Sequence, residues 1–399
     1  MTYTKWYRVW ERTQLSDFQM EAVLIPFILL ALLVHFWGTK TNRRKARKWM
    51  AVHAPLLESE FALVGFHQIP KITPYPEGGQ AQGLLEASAK LTGDNLPDDL
   101  LKEKTAWEYE TYASGRQNVA FVDVKILLKR RMNPFVLAAE EITGMFFESI
   151  KPKPERMEAV IYTFDGKEKD FVPPPVPGSA EIEKPRSVGA NSSYDPFVFA
   201  IVNKMVMRKL RDDRYDLSLT FTKDHPKLPD WVTAMSESAE VTEMMLTKEL
   251  ISAVTAAGDL LEYLIVTDQP TDKPTTLNET IPKKRIHLSL RLPSDGNYLP
   301  TLPLFQAFVR LPDFLAASAH FRPEVKRKVT TIRESEKAKL KKVSDKEAEE
   351  ERLRTLDKLK KEERDRKMKG MSAEEQRKFL ERENEKARKK QGKKMTRKG

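Results

Sequence analysis

The chain has 399 residues, with 69 Lys and Arg against 58 Asp and Glu for a net charge of +11, and no cysteine. Disulfides, zinc–thiolate sites and thiol catalysis are thereby excluded. The charge is unevenly spread: residues 1–48 hold nine basic and three acidic side chains and residues 322–399 hold 30 and 17, which leaves −8 for residues 49–321.

The first predicted element is Ala22–Trp37, 16 residues without a charge. As a helix this run covers roughly 24 Å, slightly short of a ~30 Å hydrocarbon core and suited to the thinner endoplasmic reticulum bilayer. The expected order is a short lumenal or interfacial segment at 1–19, a transmembrane helix at 20–38 and a basic juxtamembrane cluster at 39–48. Trp6, Tyr7 and Trp10, interleaved with Arg8 and Arg12, have the composition of a headgroup-level segment. A cleaved signal peptide is the competing reading. Against it, His35, Phe36 and Trp37 stand where cleavage needs small side chains.

The cluster consists of Lys40, Arg43, Arg44, Lys45, Arg47 and Lys48, against three basic residues upstream (Lys5, Arg8 and Arg12). That asymmetry places the downstream side in the cytosol. The sequons at Asn191 and Asn278 are then expected to carry no glycan.

Residues 49–321 are expected to form a mixed α+β cytosolic domain. Strand-like runs are Val119–Leu128, Val160–Phe164, Leu217–Thr222, Leu261–Thr267 and Ile286–Leu292. Helical patterns cover Pro134–Phe147, Pro196–Leu210, Ala234–Ala257 and Leu304–Ala319. Asp165–Gly166 reads as a tight hairpin turn. Segments near 70–83 and 172–196, rich in proline with glycine or small polar residues, read as flexible linkers. No regular βαβ rhythm appears, which argues against a doubly wound sheet.

Residues 322–399 read as a basic, helical tail with a break near Gly370, where Ser372 and Glu375 have capping-box spacing. Acid–base pairs at i,i+4, such as Glu350–Arg354 and Asp357–Lys361, support an exposed helix. Heptad core positions are mostly charged beyond Val325, Val329 and Ile332 and the short Leu353, Leu356 and Leu359 piece. A single helix is therefore expected rather than a long dimeric coiled coil. From Lys386 the basic residues Lys386, Arg388, Lys389, Lys390, Lys393, Lys394, Arg397 and Lys398 face no acidic ones. Without interleaved aromatics such a cluster contacts phosphates, those of ribosomal RNA or of anionic membrane lipid.

Catalytic signatures are missing. The six histidines are at least 14 residues apart, and no HExxH, Walker or Gly-x-Ser-x-Gly motif occurs. Asp98–Asp99 and Asp212–Asp213 read as helix-end or solubilising pairs, and His35 as a group near the end of the span. No enzyme activity, cofactor or metal site is expected.

Several segments together resemble the calumin family of endoplasmic reticulum proteins, also named for a C-terminal coiled-coil domain. They are Asn42, Ala46 and Trp49, then Leu56-Leu57-Glu58-Ser59 with Phe61, and Leu63-Val64-Gly65. Ser114-Gly115-Arg116, Met235-Ser236-Glu237, Glu240-Val241-Thr242 and Glu375-Gln376-Arg377 follow in order. The resemblance covers roughly residues 20–390. It implies a subunit of the PAT complex, an intramembrane chaperone in the multipass translocon that assists nascent multipass membrane proteins. The implied partners are an Asterix-like small membrane protein, the Sec61 channel, other multipass-translocon subunits and the ribosome. Animal members carry a long acidic lumenal region linked to calcium; here only Glu11, Asp17 and Glu21 precede the span, so a calcium-homeostasis role is an alternative that the resemblance does not carry over. The other alternative is a membrane-tethered scaffold whose basic tail binds anionic lipid.

Overall fold

A computed structural model of the chain describes residues 19–66, 96–146, 154–164 and 194–369. Residues 1–18, the linker near 70–83, Asp165–Gly166, most of 172–196 and everything from 370 onward, with the tail cluster and its Gly370 joint, lie outside the described residues. Two units are distinguished by contact: Met1–Pro274 with Glu279–Ile332, and Thr275–Asn278 with Arg333–Gly399.

The first unit begins with α1 (Gln19–Glu60), a 42-residue helix that contains the uncharged run, the basic cluster and a buried C-terminal third. Here the structure differs from a span followed by a separate domain: the backbone crosses residues 38–49 without a break. The reason is legible in the spacing of Asn42, Ala46, Trp49, His53, Leu56 and Leu57, a helical stripe buried at all six positions.

A sheet follows, built from β1 (Leu63–Val64), β2 (Lys102–Thr105), β3 (Glu108–Arg116), β4 (Val119–Leu127), β5 (Arg156–Thr163), β6 (Phe199–Asn203), β7 (Phe221–Lys223), β8 (Val232–Ser236), β9 (Leu261–Thr267) and β10 (Arg285–Arg291). Its order is β1-β3-β4-β5-β10-β9-β6-β8-β7, with β2 also on β3. All described pairings are antiparallel. Between β4 and β5 lies α2 (Pro134–Phe146); α3 (Lys204–Asp213) and α4 (Tyr215–Ser218) follow β6; α5 (Ala239–Met245) and α6 (Lys248–Ala257) follow β8. The last helices are α7 (Leu302–Ser318) and α8 (Pro323–Lys369).

The larger core packs one sheet face against the end of α1, α6 and α7, with Trp49, Leu57, Phe305 and Phe308 among its fully enclosed side chains. On the opposite face Ala200, Val202, Leu217, Met235 and Ile265 form a smaller cluster, with Val206 and Leu210 of α3 packed against it. Val325 and Val329, in the first turns of α8, close the large core.

The mixed helix-and-sheet class agrees with the sequence reading, while several elements differ from it. The helical pattern at Pro196–Leu210 is β6 followed by α3. The run Phe199–Val202 is buried on both sheet faces and so has no strand periodicity to read. Asn203 marks the change, its side chain accepting the Met205 N–H at 3.0 Å as an N-cap. Ala234–Ala257 is not one helix but β8, α5 and α6; Thr247 caps α6 through Leu250 N at 3.2 Å. The run Leu217–Thr222 is α4 passing into β7. β3 escaped notice because its inward residues, Tyr109, Thr111 and Ala113, alternate with Glu108, Glu110 and Tyr112, a weak apolar contrast.

In the second unit, residues 333–369 of α8 keep Val343, Leu353, Leu356 and Leu359 exposed. Glu350 and Arg354 approach to 3.8 Å.

His287 of β10 lies opposite Ile265 on the smaller-core face, and its buried Nε2 has no hydrogen-bond partner among the described residues. Burial first, then the Arg214 and Arg285 cations, lower its pKa from 6.5 to about 3. The unfolded chain takes a proton below pH 6.5 that the fold refuses until about pH 3. Stability from this group is therefore full above 6.5 and declines through that window, by up to about 1.4 kcal/mol per pH unit. Denaturant titrations of the detergent-solubilised chain at pH 7 and pH 5 are expected to differ by about 2 kcal/mol less in His287→Leu than in the unaltered protein.

Candidate functional site: the membrane helix and its charged collar

Helix α1 contains the one candidate membrane span found among the described residues. Its first half is exposed, including Val23, Leu24, Phe27, Leu29, Leu33 and Phe36. A side chain of that size left in water costs on the order of 2 kcal/mol, so a run of them marks a candidate membrane-spanning surface. The bare stretch ends at Gly38. A Cβ there would lie 2.5 Å from the Arg131 carbonyl carbon and 2.6 Å from Met132 N, so only glycine lets that backbone close on the helix.

One turn later Asn42 is fully buried. Its Nδ2 donates to the backbone oxygens of Ala106 and Lys129, each at 2.9 Å, and its Oδ1 accepts from Arg131 Nη1 at 2.9 Å. Glu155, just before β5, accepts from Lys45 at 2.8 Å and pairs with Arg131. Burial works to raise the Glu155 carboxyl, but the Arg131 and Lys45 hydrogen bonds outweigh it and hold its pKa below the ordinary carboxylate value. Arg43 binds Glu103 of β2 at 2.7 Å, and Arg47 pairs with Asp98.

The predicted basic cluster is thus divided in two. Arg43, Lys45 and Arg47 are spent on Glu103, Glu155 and Asp98, which tie the helix to the sheet. Lys40, Arg44 and Lys48, spaced four apart, are exposed on one stripe and meet no carboxylate among the described residues. Sequence reasoning counted six equivalent cations, because the acidic partners come from residues 50 or more positions away. Lys386, Arg388, Lys389, Lys390, Lys393, Lys394, Arg397 and Lys398 fall outside the described residues. His35 is exposed near the end of the bare stretch, and the Asp98 and Asp213 pairs sit at helix ends as expected. Among the described residues no group of three or more His, Cys, Asp or Glu is placed to hold a metal ion.

A family model described as PAT complex subunit CCDC47 matches residues 17–390 of the chain. The chain belongs to the CCDC47 family. It is similar to an endoplasmic reticulum membrane protein of Schizosaccharomyces pombe, 26% identical over 323 residues, covering 79% of this chain and 73% of that one. An endoplasmic reticulum membrane protein of Saccharomyces cerevisiae is 24% identical over 272 residues, 67% of this chain and 58% of its own. The PAT complex subunit CCDC47 of Danio rerio is 23% identical over 299 residues, 71% of this chain and 49% of its own. The chain thus spans about half the length of that animal relative.

Among the described residues, the segments that carried the family resemblance include packing positions. Gly115 has φ +86°, and a Cβ on it would meet Ala62 Cβ at 2.8 Å. Arg116 beside it bridges Glu60 of α1 and Asp313 of α7. Glu237 is buried and accepts the Val198 N–H at 3.0 Å, while Ser236 and Thr242 hydroxyls meet at 2.6 Å.

Asn42→Ala leaves two backbone carbonyls and a guanidinium short of a partner, and is expected to destabilise the chain by on the order of 3 kcal/mol. Arg44→Ala, two residues on and on the exposed stripe, is expected to change stability by less than about 0.5 kcal/mol. Thermal unfolding of the two variants in detergent checks both.

Proposed function

We propose that the chain is a non-enzymatic subunit of the endoplasmic reticulum machinery that assists multipass membrane proteins, acting as an intramembrane chaperone component beside the translocon and the translating ribosome. Family membership supports this reading, and one observation carries it: the lipid-suited half of α1 and the core of the folded domain belong to one uninterrupted helix. Backbone hydrogen bonds through residues 38–49, the Gly38 contact and the Asn42 bonds leave no flexible joint between them. A domain held in that way has a set height and orientation at the bilayer, as a factor acting between a channel and a ribosome requires.

The excess of cations after the span puts residues 39–399 in the cytosol. Lys40, Arg44 and Lys48 then face the headgroups, and the cluster from Lys386 to Lys398 meets ribosomal RNA phosphates. An Asterix-like small membrane protein pairs with the span, whose exposed side chains offer a helix-packing surface, and Sec61 and other multipass-translocon subunits lie alongside. A scaffold whose tail binds anionic lipid is the second reading, favoured by the same cluster.

Asn278 is exposed in a short 3-10 turn, Leu277–Thr280, so burial would not block its modification. In intact microsomes, glycosidase is expected to leave the mobility of the chain unchanged, and added protease to remove the folded domain. A glycan on Asn278, or protection of the domain, reverses the topology.

Removing residues 386–399 is expected to reduce ribosome co-sedimentation on the order of tenfold, with a shallower salt dependence. If sedimentation is unchanged, the tail is not the ribosome contact; if only acidic-liposome binding is lost, the lipid-binding scaffold is the better reading.

A further inference from the structure

Helix α2 (Pro134–Phe146) is built the wrong way round for water. None of its 13 residues is fully buried. At about 100° per residue, Phe135, Ala138, Ala139, Ile142, Met145 and Phe146 fall within an arc of roughly 120°. All six are exposed: Phe135 is 60% accessible, Ile142 59%, Met145 84% and Phe146 78%. The half-buried positions, Val136, Leu137, Glu140, Thr143 and Gly144, lie on the other side. A helix of a water-soluble domain turns its apolar stripe inward; this one turns it out.

Its place in the fold says what the stripe meets. The Phe135 ring lies 5.8 Å from that of Phe27, in the middle of the uncharged run of α1. Phe27 is 11 residues before Gly38, or roughly 16 Å along the helix from the junction with the domain. Both ends of the excursion are pinned beyond that junction. Arg131 packs on Gly38 and bonds Asn42, and Glu155 bonds Lys45. The chain therefore leaves the domain beside the end of the span, reaches the depth of Phe27, and returns to the same side. Thirteen residues make a helix of about 20 Å, too short to cross a ~30 Å core.

Several polar groups on the excursion are satisfied from within; Glu141, exposed at the border of the stripe, meets no cation among the described residues. Asn133 Oδ1 accepts the Val136 N–H at 3.2 Å at the start of the helix. Arg130 holds Glu140 at 3.0 Å, and the Thr143 hydroxyl donates to Ala139 O at 2.6 Å. Such internal satisfaction is what a segment in hydrocarbon needs. The basic run Lys129–Arg131 precedes it, with Arg131 packed against Gly38 at the end of the bare stretch.

We propose that α2 is a second membrane element, a re-entrant helix lying beside α1 in the leaflet on the Gly38 side, with the Phe135–Phe146 stripe against lipid acyl chains. The inference rests on Ala22–Trp37 being a span, and the control below tests that separately.

The chain has no cysteine, so single cysteines can be placed without prior substitutions. Ile142→Cys, Met145→Cys and Phe146→Cys each change an exposed side chain; Leu29→Cys serves as the span control and Arg44→Cys as the headgroup-level, water-accessible control. Each purified full-length variant is labelled with an environment-sensitive fluorophore and reconstituted, at less than one chain per vesicle, in phosphatidylcholine with or without nitroxide-labelled lipid. Fluorescence at 142, 145 and 146 is expected to be quenched several-fold more by nitroxide lipid than at 44, and to resist aqueous iodide as at 29. Iodide quenching at all three positions equal to that at 44, with 29 protected, overturns the proposal and leaves the stripe for a protein partner. Protection that appears only at higher chain density assigns it to a second copy and overturns the proposal too. If 29 is also open to iodide, the span itself is wrong.

Discussion

Everything in this molecule hangs on the continuity of α1. A helix that is bare at one end and core-buried at the other must pass from exposed apolar surface to packed core without losing a backbone hydrogen bond. The transition is managed within about four turns. Gly38 removes the side chain that would hold Arg131 away, Asn42 occupies backbone acceptors of the β2–β3 turn and the end of β4, and Trp49 stacks on His53 inside the core. A flexible linker there would have separated anchoring from positioning; the continuous helix makes them one property.

The same continuity dictates how charge is arranged. Six cations close to a membrane would repel one another and the start of the domain, yet three are met by carboxylates brought from β2, from the start of β5 and from the turn at Asp98. Glu155 is the most enclosed of these acceptors and serves two cations at once. The exposed pairs stabilise the fold little, because water screens them. Their larger effect is geometric, since each limits the rotation of α1 against the sheet. The cations left over form a single stripe, so the surface that can meet anionic headgroups is narrower and more directional than the composition implies.

The family segments illustrate how packing and function divide. Ser114-Gly115-Arg116, Met235-Ser236-Glu237 and the Leu56–Leu57 pair hold the sheet, its loops and α1 together. They therefore identify the fold, and through it the family, without marking a contact surface. Exposed features, such as the Lys40–Arg44–Lys48 stripe and the outward face of α2, are where partners or lipid must be met.

The sequence by itself determined the apolar run, the absence of thiol chemistry, the split of charge between ends and middle, and those strands whose apolar alternation is strong, such as β4 and β10. These depend on local composition and on periods of two or 3.6 residues, which a linear reading can detect. Tertiary structure alone decided which cations of the cluster are neutralised, because Glu103, Glu155 and Asp98 approach from distant strands and turns. It decided that Phe199–Val202 is a central strand, since burial on both faces erases the periodicity that would announce it. It also decided that the apolar stripe of Pro134–Phe146 points outward: a helical pattern records which residues share a face, and only the packing of the rest of the chain determines what that face is turned toward.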